Sequence, residues 1–495
     1  MEVELEAPNG IKWTQPLGLY INDEYVKSSK GETIPTINPV TEEQICAPQA
    51  ATEEDVDRAV KAARAAFKHP SWKQLGGAKR GLLLNKLADL MEQHGETLAA
   101  IDAVDNGKPY GRALAFDVPF GVDVLRYYAG WAGKIGGQTM DCSPDKMAYT
   151  VKTPVGVVAQ IIPWNLNISF ISMKLAPALA CGNTVVLKAS EACPLVVLWA
   201  TRLIREAGFP PGVVNIINGY GSVAGAALAS HMDVDKISFT GSTETGKIIQ
   251  RLAAANLKGV TMETGGKSPA IVFEDADLDL AARCTHLGVM GNSGQMCFAN
   301  SRIFVQESVY EAFLEKFKAQ VAQVSVMGDP FEKTTFQGPQ VSRAQYERVL
   351  GYIQSAREQG ATIYLGGEPA PRGGKGFYVQ PTVFTDVTPG MKIFREEIFG
   401  PCAIIVPFKT EDEVLARAND TTYGLSSSIF TNNVARAHRV AREYEAGMVY
   451  VNTYLAPNAG VPFGGTKQSG SGRENGEEGL ASYYYTKSVY VSLQV

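Results

Sequence analysis

The spacing of apolar positions changes along the chain, and each change marks a different kind of structure. In the first fifty residues apolar and polar positions alternate in short bursts, and GLYINDEYV (18–26) reads as a half-buried hairpin. Thr52-Glu53-Glu54-Asp55 has the form of a capping box. Val56, Ala59, Val60, Ala63 and Phe67 follow at helical spacing. Further helical runs are expected over 78–103, closed by Asn106-Gly107-Lys108-Pro109, and over 112–133. From Val151 the strands VGVVAQIIPW, NTVVLK, VVNIING and KISFT alternate with helices over 169–180, 194–207, 222–230 and 243–256. Near-continuous β-branched runs between amphipathic helices predict a parallel sheet covered on both faces. Ligands of such sheets bind at the carboxyl ends of the strands. A second α/β stretch is expected from near Val260 to about Gly470, with strands SPAIVF, RIFVQ, CAIIVPF, SSSIF and MVYVN. Its helices fall at 309–324, 342–358, 411–418 and 432–445. The last segment, SYYYTKSVYVSLQV, is β-prone throughout and must pair with something, for which a neighbouring subunit is expected.

Composition narrows the classes. With 495 residues, 45% hydrophobic and 20% charged, the chain has ample apolar surface for folded domains, and disorder is excluded as its main state. Lys and Arg total 46 against 51 Asp and Glu, a net charge of −5, which is no electrostatic footprint for nucleic acid. No basic cluster adjoins an apolar helix, and no stretch approaches the ~20 apolar residues of a membrane span. MEVELEAPNG resembles neither a signal nor a transit peptide, and SLQV is no targeting address, so a cytoplasmic protein is expected. Seven cysteines lie at 46, 142, 181, 193, 284, 297 and 402 with no C-x-x-C pair, and the five histidines do not cluster. That pattern argues against a disulfide framework and against a metal site.

One cysteine stands in a setting suited to chemistry. In Asn292-Ser293-Gly294-Gln295-Met296-Cys297-Phe298 it follows a glycine between a helical run and a strand, where the backbone can present a thiol to substrate. Upstream, Val260-Thr261-Met262-Glu263-Thr264-Gly265-Gly266-Lys267-Ser268-Pro269 sets a carboxylate among apolar residues and follows it with Gly-Gly. This suits a partly buried general base beside a crossing of two backbones. The ordinary alternatives are a small buried thiol and a strand-end glutamate in an ion pair.

Glu-x-Gly-Gly-Lys-Ser-Pro followed by Gly-Gln-x-Cys resembles the aldehyde dehydrogenase superfamily. Other segments agree in order along nearly the whole chain. They include Pro163-Trp164-Asn165, Lys188-Ala-Ser-Glu191, Asn218-Gly-Tyr-Gly221 and Phe239-Thr-Gly-Ser-Thr-Glu244. Further on come Glu396-Glu-Ile-Phe-Gly-Pro401, Pro462-Phe-Gly-Gly465 and Ser469-Gly-Ser-Gly-Arg473. An aldehyde has no leaving group except hydride, so oxidation is easiest once a nucleophile has made its carbon tetrahedral. By this resemblance Cys297 is that nucleophile, Asn165 the side-chain donor to the developing oxyanion, and Glu263 the base that activates water against the thioester. The resemblance also implies a dinucleotide site. It places Gly241 and Ser242 at the pyrophosphate, Lys188 and Glu191 at the adenosine ribose, and Glu397 and Phe399 at the nicotinamide ribose and ring, with Trp164 and Gly221 as further cofactor residues. A carboxylate at Glu191 accepts hydrogen bonds from ribose hydroxyls and repels a 2′-phosphate, which favours NAD, with NADP as the second possibility.

Several positions depart from the usual pattern. Asn165 is normally followed by an aromatic residue and a proline, but here by Leu166 and Asn167; Ala189 follows Lys188, Thr264 follows Glu263, and Phe298-Ala299-Asn300 follows Cys297. Loss of a proline loosens a local backbone. Asn167, Phe170, Met173, Met296, Phe298, Tyr454 and Phe463 are expected to wall the substrate pocket; Asn167 brings a polar amide near the oxyanion donor, and the other six favour an apolar or aromatic aldehyde. The implied fold is α/β, with two doubly wound lobes and a β extension for oligomerisation. The cofactor-binding lobe would comprise 1–133 and 151–259, the catalytic lobe 260–470, and the extension 134–150 with 480–495, giving a homodimer or homotetramer. The competing readings are a CoA-acylating or redox-neutral enzyme on the same fold, or a binding or structural relative without catalysis.

Overall fold

The computed structural model describes residues 1–454 and 457–494. The chain builds one eight-stranded sheet, one seven-stranded sheet and a three-stranded extension, besides two short two-stranded ribbons. In the eight-stranded sheet five strands run parallel in the spatial order Gly259–Glu263, Lys236–Thr240, Val157–Ile161, Thr184–Lys188, Val214–Ile217. Their inner members are buried at every position, as the unbroken β-branched runs require. The expected hairpin closes one edge as Leu19–Ile21 and Glu24–Val26. Its turn residues Asn22 and Asp23 have φ of 54° and 66°, the left-handed pair that a two-residue hairpin favours.

Chain order reverses on either side of Val157–Ile161: the next two strands lie to one side of it and the following two to the other. The loops after Val157–Ile161 and Lys236–Thr240 therefore diverge and leave a crevice at their carboxyl ends.

The seven-stranded sheet follows the order Thr362–Leu365, Thr382–Thr385, Cys402–Phe408, Arg302–Gln306, Pro269–Val272, Ser426–Phe430, Met448–Val451. All neighbours are parallel except the antiparallel edge strand Thr362–Leu365. The second sheet thus starts at Pro269. Gly259–Glu263, just ahead of it, belongs to the first sheet, where it pairs residue for residue with Lys236–Thr240.

Two expected helices are interrupted. The run over 78–103 is two helices, Gly77–Gln93 and Gly95–Asn106, with His94 between them at φ −100° and ψ 20°. The run over 112–133 opens with a π-turn, Ala113–Asp117, ahead of Val118–Trp131. Pro119 has no N–H to donate at that junction, and the ladder widens before it. The capping box forms: Thr52 Oγ1 accepts the Asp55 N–H at 3.3 Å, and Asp55 Oδ2 accepts the Thr52 N–H at 3.0 Å.

The tail strand Tyr484–Ser492 pairs antiparallel with Lys146–Pro154 of its own chain, which also pairs with Thr139–Ser143. Its other edge has no strand beside it among the described residues, and Tyr490 is 75% exposed there. Val495, the end of the expected extension, lies outside the described residues. No helix among them is long and apolar enough to cross a membrane.

Candidate active site

Cys297 is presented by a turn that few sequences could adopt. After the helix Leu278–Met290, Asn292, Ser293 and Gly294 take φ of 54°, 57° and 73° in succession. Left-handed backbone is costly for residues with a Cβ, and the surroundings hold it in place. Asn292 Nδ2 donates to the carbonyls of Asn165 and Gln295 at 3.1 and 3.2 Å, and Ser293 Oγ donates to Gly338 O at 2.9 Å. Gln340 Nε2 donates to Ser293 O at 3.1 Å, and Gln295 Oε1 accepts the Val341 N–H at 3.0 Å. A Cβ on Gly294 would sit 2.0 Å from the carbonyl of Gly400, so glycine is required at that step.

Asn165 lies across this turn. Its Nδ2 donates to Gln295 O at 2.9 Å, two residues before the cysteine, and its side chain is buried. The same amide carries a second N–H, which leaves it a donor for a charge forming at Cys297.

Glu263 ends the strand Gly259–Glu263, and the two glycines after it allow the expected crossing. A Cβ on Gly265 would stand 2.3 Å from Glu397 Oε2, and one on Gly266 would stand 2.2 Å from the Cys297 carbonyl. Glu263 is 2% exposed and neither carboxylate oxygen has a protein hydrogen bond among the described residues. Burial, reinforced by Glu474, pushes its carboxyl well above the usual range. Lys174 and Arg473 pull the other way, and the Gly465 N–H favours the anion without closing a bond. Burial and the carboxylates of Glu397 and Glu263 likewise raise the Cys297 thiol far above its ordinary value.

Cys297 lines two cavities. On one side lies a space of about 410 Å³, walled by Phe116, Phe120, Leu166, Phe170, Met173, Phe298, Tyr450, Val461 and Phe463. Phe298 and Phe463 meet edge to face, with centroids 5.9 Å apart. On the other side lies a smaller space of about 140 Å³ bounded by Trp164, Asn165, Thr240, Gly241, Ser242, Thr264, Arg348, Glu397 and Phe399. Trp164 and Phe399 stand edge to face at 5.4 Å. This second cavity occupies the crevice where strand order reverses.

The residues present there fit a dinucleotide. Thr240 Oγ1 is buried with no protein partner among the described residues, and Ser242 caps the helix Thr243–Ala253 by accepting the Thr245 N–H. A helix N-terminus on a polar turn is suited to an anionic group. Glu397 accepts the Gly266 N–H at 2.9 Å, and burial pushes its carboxyl up to about 7. Lys188, Glu191 and Gly221 form a separate group at the ends of neighbouring strands. Glu191 accepts Lys188 Nζ at 3.1 Å and the Gly221 N–H at 3.0 Å. Although burial opposes it, Lys188 and Gly221 hold Glu191 below the usual carboxylate range.

Three expected wall residues stand elsewhere. Tyr454 is buried, and its hydroxyl donates to the carbonyls of Gly288 and Phe298, both at 3.2 Å. Met296 is buried in the same small apolar cluster. Asn167 is fully buried on the far side of its helix and donates to Asp102 and Cys193. Cys193, also fully buried, lines neither of these cavities.

Sequence reasoning missed Phe116 and Phe120, whose spacing of four on one helix was the available signal. It also missed Lys174 and Glu474. Lys174 lies in Asn167–Cys181, a helix buried at every position, where a lysine must have a partner. It contacts Glu474, and both bond to Ser238, Lys174 at 2.9 Å and Glu474 at 3.2 Å.

Residues 25–489 match the model of the aldehyde dehydrogenase family. An aldehyde dehydrogenase of Alternaria alternata is 51% identical over 99% of this chain and 98% of its own. Retinal dehydrogenase 2 of Mus musculus is 50% identical over 98% of this chain and 92% of its own. The solved structure of the NAD+ complex of a Bacillus cereus aldehyde dehydrogenase superposes with a TM-score of 0.94 at 48% identity, covering 97% of each chain.

Proposed function

The chain belongs to the aldehyde dehydrogenase family, and from that premise we propose how its own residues carry out NAD-dependent oxidation of an aldehyde to a carboxylic acid. The observation that carries the assignment is the position of Cys297 at the junction of an aromatic cavity and a polar one. An aldehyde entering from the aromatic side reaches the sulfur, and a nicotinamide ring held by Trp164, Glu397 and Phe399 would meet the same carbon from the other.

Sγ forms a bond to the carbonyl carbon as the thiol gives up its proton to water. The oxygen becomes an oxyanion beside Asn165 Nδ2 and the Cys297 N–H. A preorganised donor of this kind lowers a barrier by about 3–4 kcal/mol. Collapse of the tetrahedral adduct breaks the C–H bond and leaves a thioester on Cys297. NAD, when bound, supplies the hydride acceptor. Glu263 then removes a proton from water attacking the thioester, the C–S bond breaks, and acid and thiol are released. Burial makes Glu263 a stronger base than an ordinary carboxylate, while the charge of Lys174 favours its anion.

Glu191, held ionised by Lys188 and the Gly221 N–H, suits the ribose hydroxyls of NAD and repels a 2′-phosphate. The wall of phenylalanines supports an apolar or aromatic aldehyde as substrate. The open edge of the tail strand, with Tyr485, Tyr490 and Leu493 exposed, supports pairing with a second copy of the chain.

Rapid mixing with NAD and a panel of benzaldehydes, unbranched aldehydes and charged aldehydes tests this. NADH should appear as a burst with the apolar and aromatic members, without any need for CoA. Strict dependence on CoA, or a preference for charged aldehydes, would overturn hydrolysis or the substrate class respectively.

A further inference from the structure

Leu166 and Asn167 follow Asn165 directly, yet only Leu166 lines the aldehyde cavity. Asn167 opens the helix Asn167–Cys181, is fully buried, and points into a polar cluster behind the loop. Its Nδ2 lies 3.1 Å from Asp102 Oδ1 and 3.1 Å from Cys193 Sγ. Asp102 Oδ2 is 3.2 Å from Lys108 Nζ, which is 2.7 Å from Asp117 Oδ2, and all three side chains are sealed from solvent. A cation fixed between two buried carboxylates has little freedom, because moving any member leaves an unpaired charge. Asn167 is therefore tied to a rigid anchor.

Two further amides grip the same segment. Asn106 Nδ2 donates to Trp164 O at 2.7 Å, and Asn292 Nδ2 donates to Asn165 O at 3.1 Å. Of the four residues 164–167, three are thus held by side-chain amide bonds. Where the usual pattern has a proline two residues after the amide donor, this chain has Asn167. A proline restricts its own φ and needs no partner. Without it, the direction of the segment has to be set from outside, and the two bonds of the Asn167 amide do so.

We infer that Asn167 is a positioning residue: through Asp102 and Cys193 it fixes the backbone that aims Asn165 Nδ2 at the developing oxyanion. The inference rests on the donor role given to Asn165 above.

The test is a double-mutant cycle read by the rate of the NADH burst, with aldehyde KM and melting temperature measured alongside. Asn165→Ala should slow the burst about 10²–10³-fold. Asn167→Ala should slow it about tenfold with aldehyde KM changed less than about twofold, since a small misplacement of a reacting group is costly. In the Asn165→Ala background the second substitution should add nothing, because no donor remains to be aimed. Asn167→Pro should restore most of the burst rate, since proline is well accommodated at the first helical position. Cys193→Ala, which removes one acceptor only, should give a smaller loss of the same kind, and with Asn167→Pro it carries the test if Asn167→Ala does not fold. An unaltered burst in Asn167→Ala, or a loss that multiplies in the Asn165→Ala background, would leave Asn167 a mere stabiliser and overturn the inference. Full activity in Asn165→Ala would remove the oxyanion role itself, and the inference with it.

Discussion

The two cavities that meet at Cys297 are made in different ways. The polar one is built from strand ends and turns: Trp164 follows Val157–Ile161, Gly241 follows Lys236–Thr240, and Thr264 follows Gly259–Glu263. Backbone path fixes these positions, so the site tolerates little change. The aromatic one is assembled from side chains on separate segments, with Phe116 and Phe120 on one helix, Phe170 and Met173 on another, and Phe298, Tyr450 and Phe463 on loops and a strand. Each can be exchanged without moving a backbone. The difference teaches that the reaction is written into the fold and the substrate into its lining.

Substitutions should respect this division. Cys297→Ala touches both cavities, and NADH formation should fall by about 10⁴-fold or more, as loss of a covalent nucleophile does elsewhere. Residual activity above that level would break the junction picture. Glu263→Gln should lower turnover by about 10²-fold or more, the scale of general-base catalysis. The burst should persist and acyl-enzyme should accumulate. The wild-type hydrolysis rate should climb with pH as Glu263, held above the usual carboxyl range, loses its proton, and that limb should vanish in the Gln variant. A flat wild-type profile would mean that another group takes the proton.

Smaller effects separate the sides. Phe463→Ala should lower kcat/KM for aromatic aldehydes by about tenfold, the worth of a lost apolar and edge-to-face contact, while KM for NAD stays put. A change in both constants would show that the cavities are coupled. Last, Glu397 titrates near 7, so its carboxylate becomes neutral as pH falls through that point. KM for NAD should rise by about fivefold over one unit below 7 as the anionic acceptor is lost. Glu397→Gln should flatten this dependence.

The same contrast explains what could be read in advance. Cys297, Glu263 and Asn165 sit in contiguous runs that carry the family resemblance, and the alternation of strands and helices pointed to the carboxyl ends of a parallel sheet. The wall was harder, because a side chain's direction depends on which face of a helix packs inward. Phe170 and Met173 were expected there and line it, whereas Asn167, at the first helical position, faces backward. Met296 and Tyr454 were expected in the wall as well, yet both are buried in a small cluster with Phe298 and Leu425. That Gly259–Glu263 pairs in the first sheet could not be read in advance, because a parallel strand looks alike in either until its pairing partner is known. Lys174 carried a signal, a lone cation in an apolar helix, that went unused.

Oxidants attack sulfur mainly as its anion. Burial, with Glu397 and Glu263 behind it, disfavours that anion at Cys297, although the atom lines two cavities. What slows attack by peroxide is then the scarcity of the anion and not a lid over the sulfur.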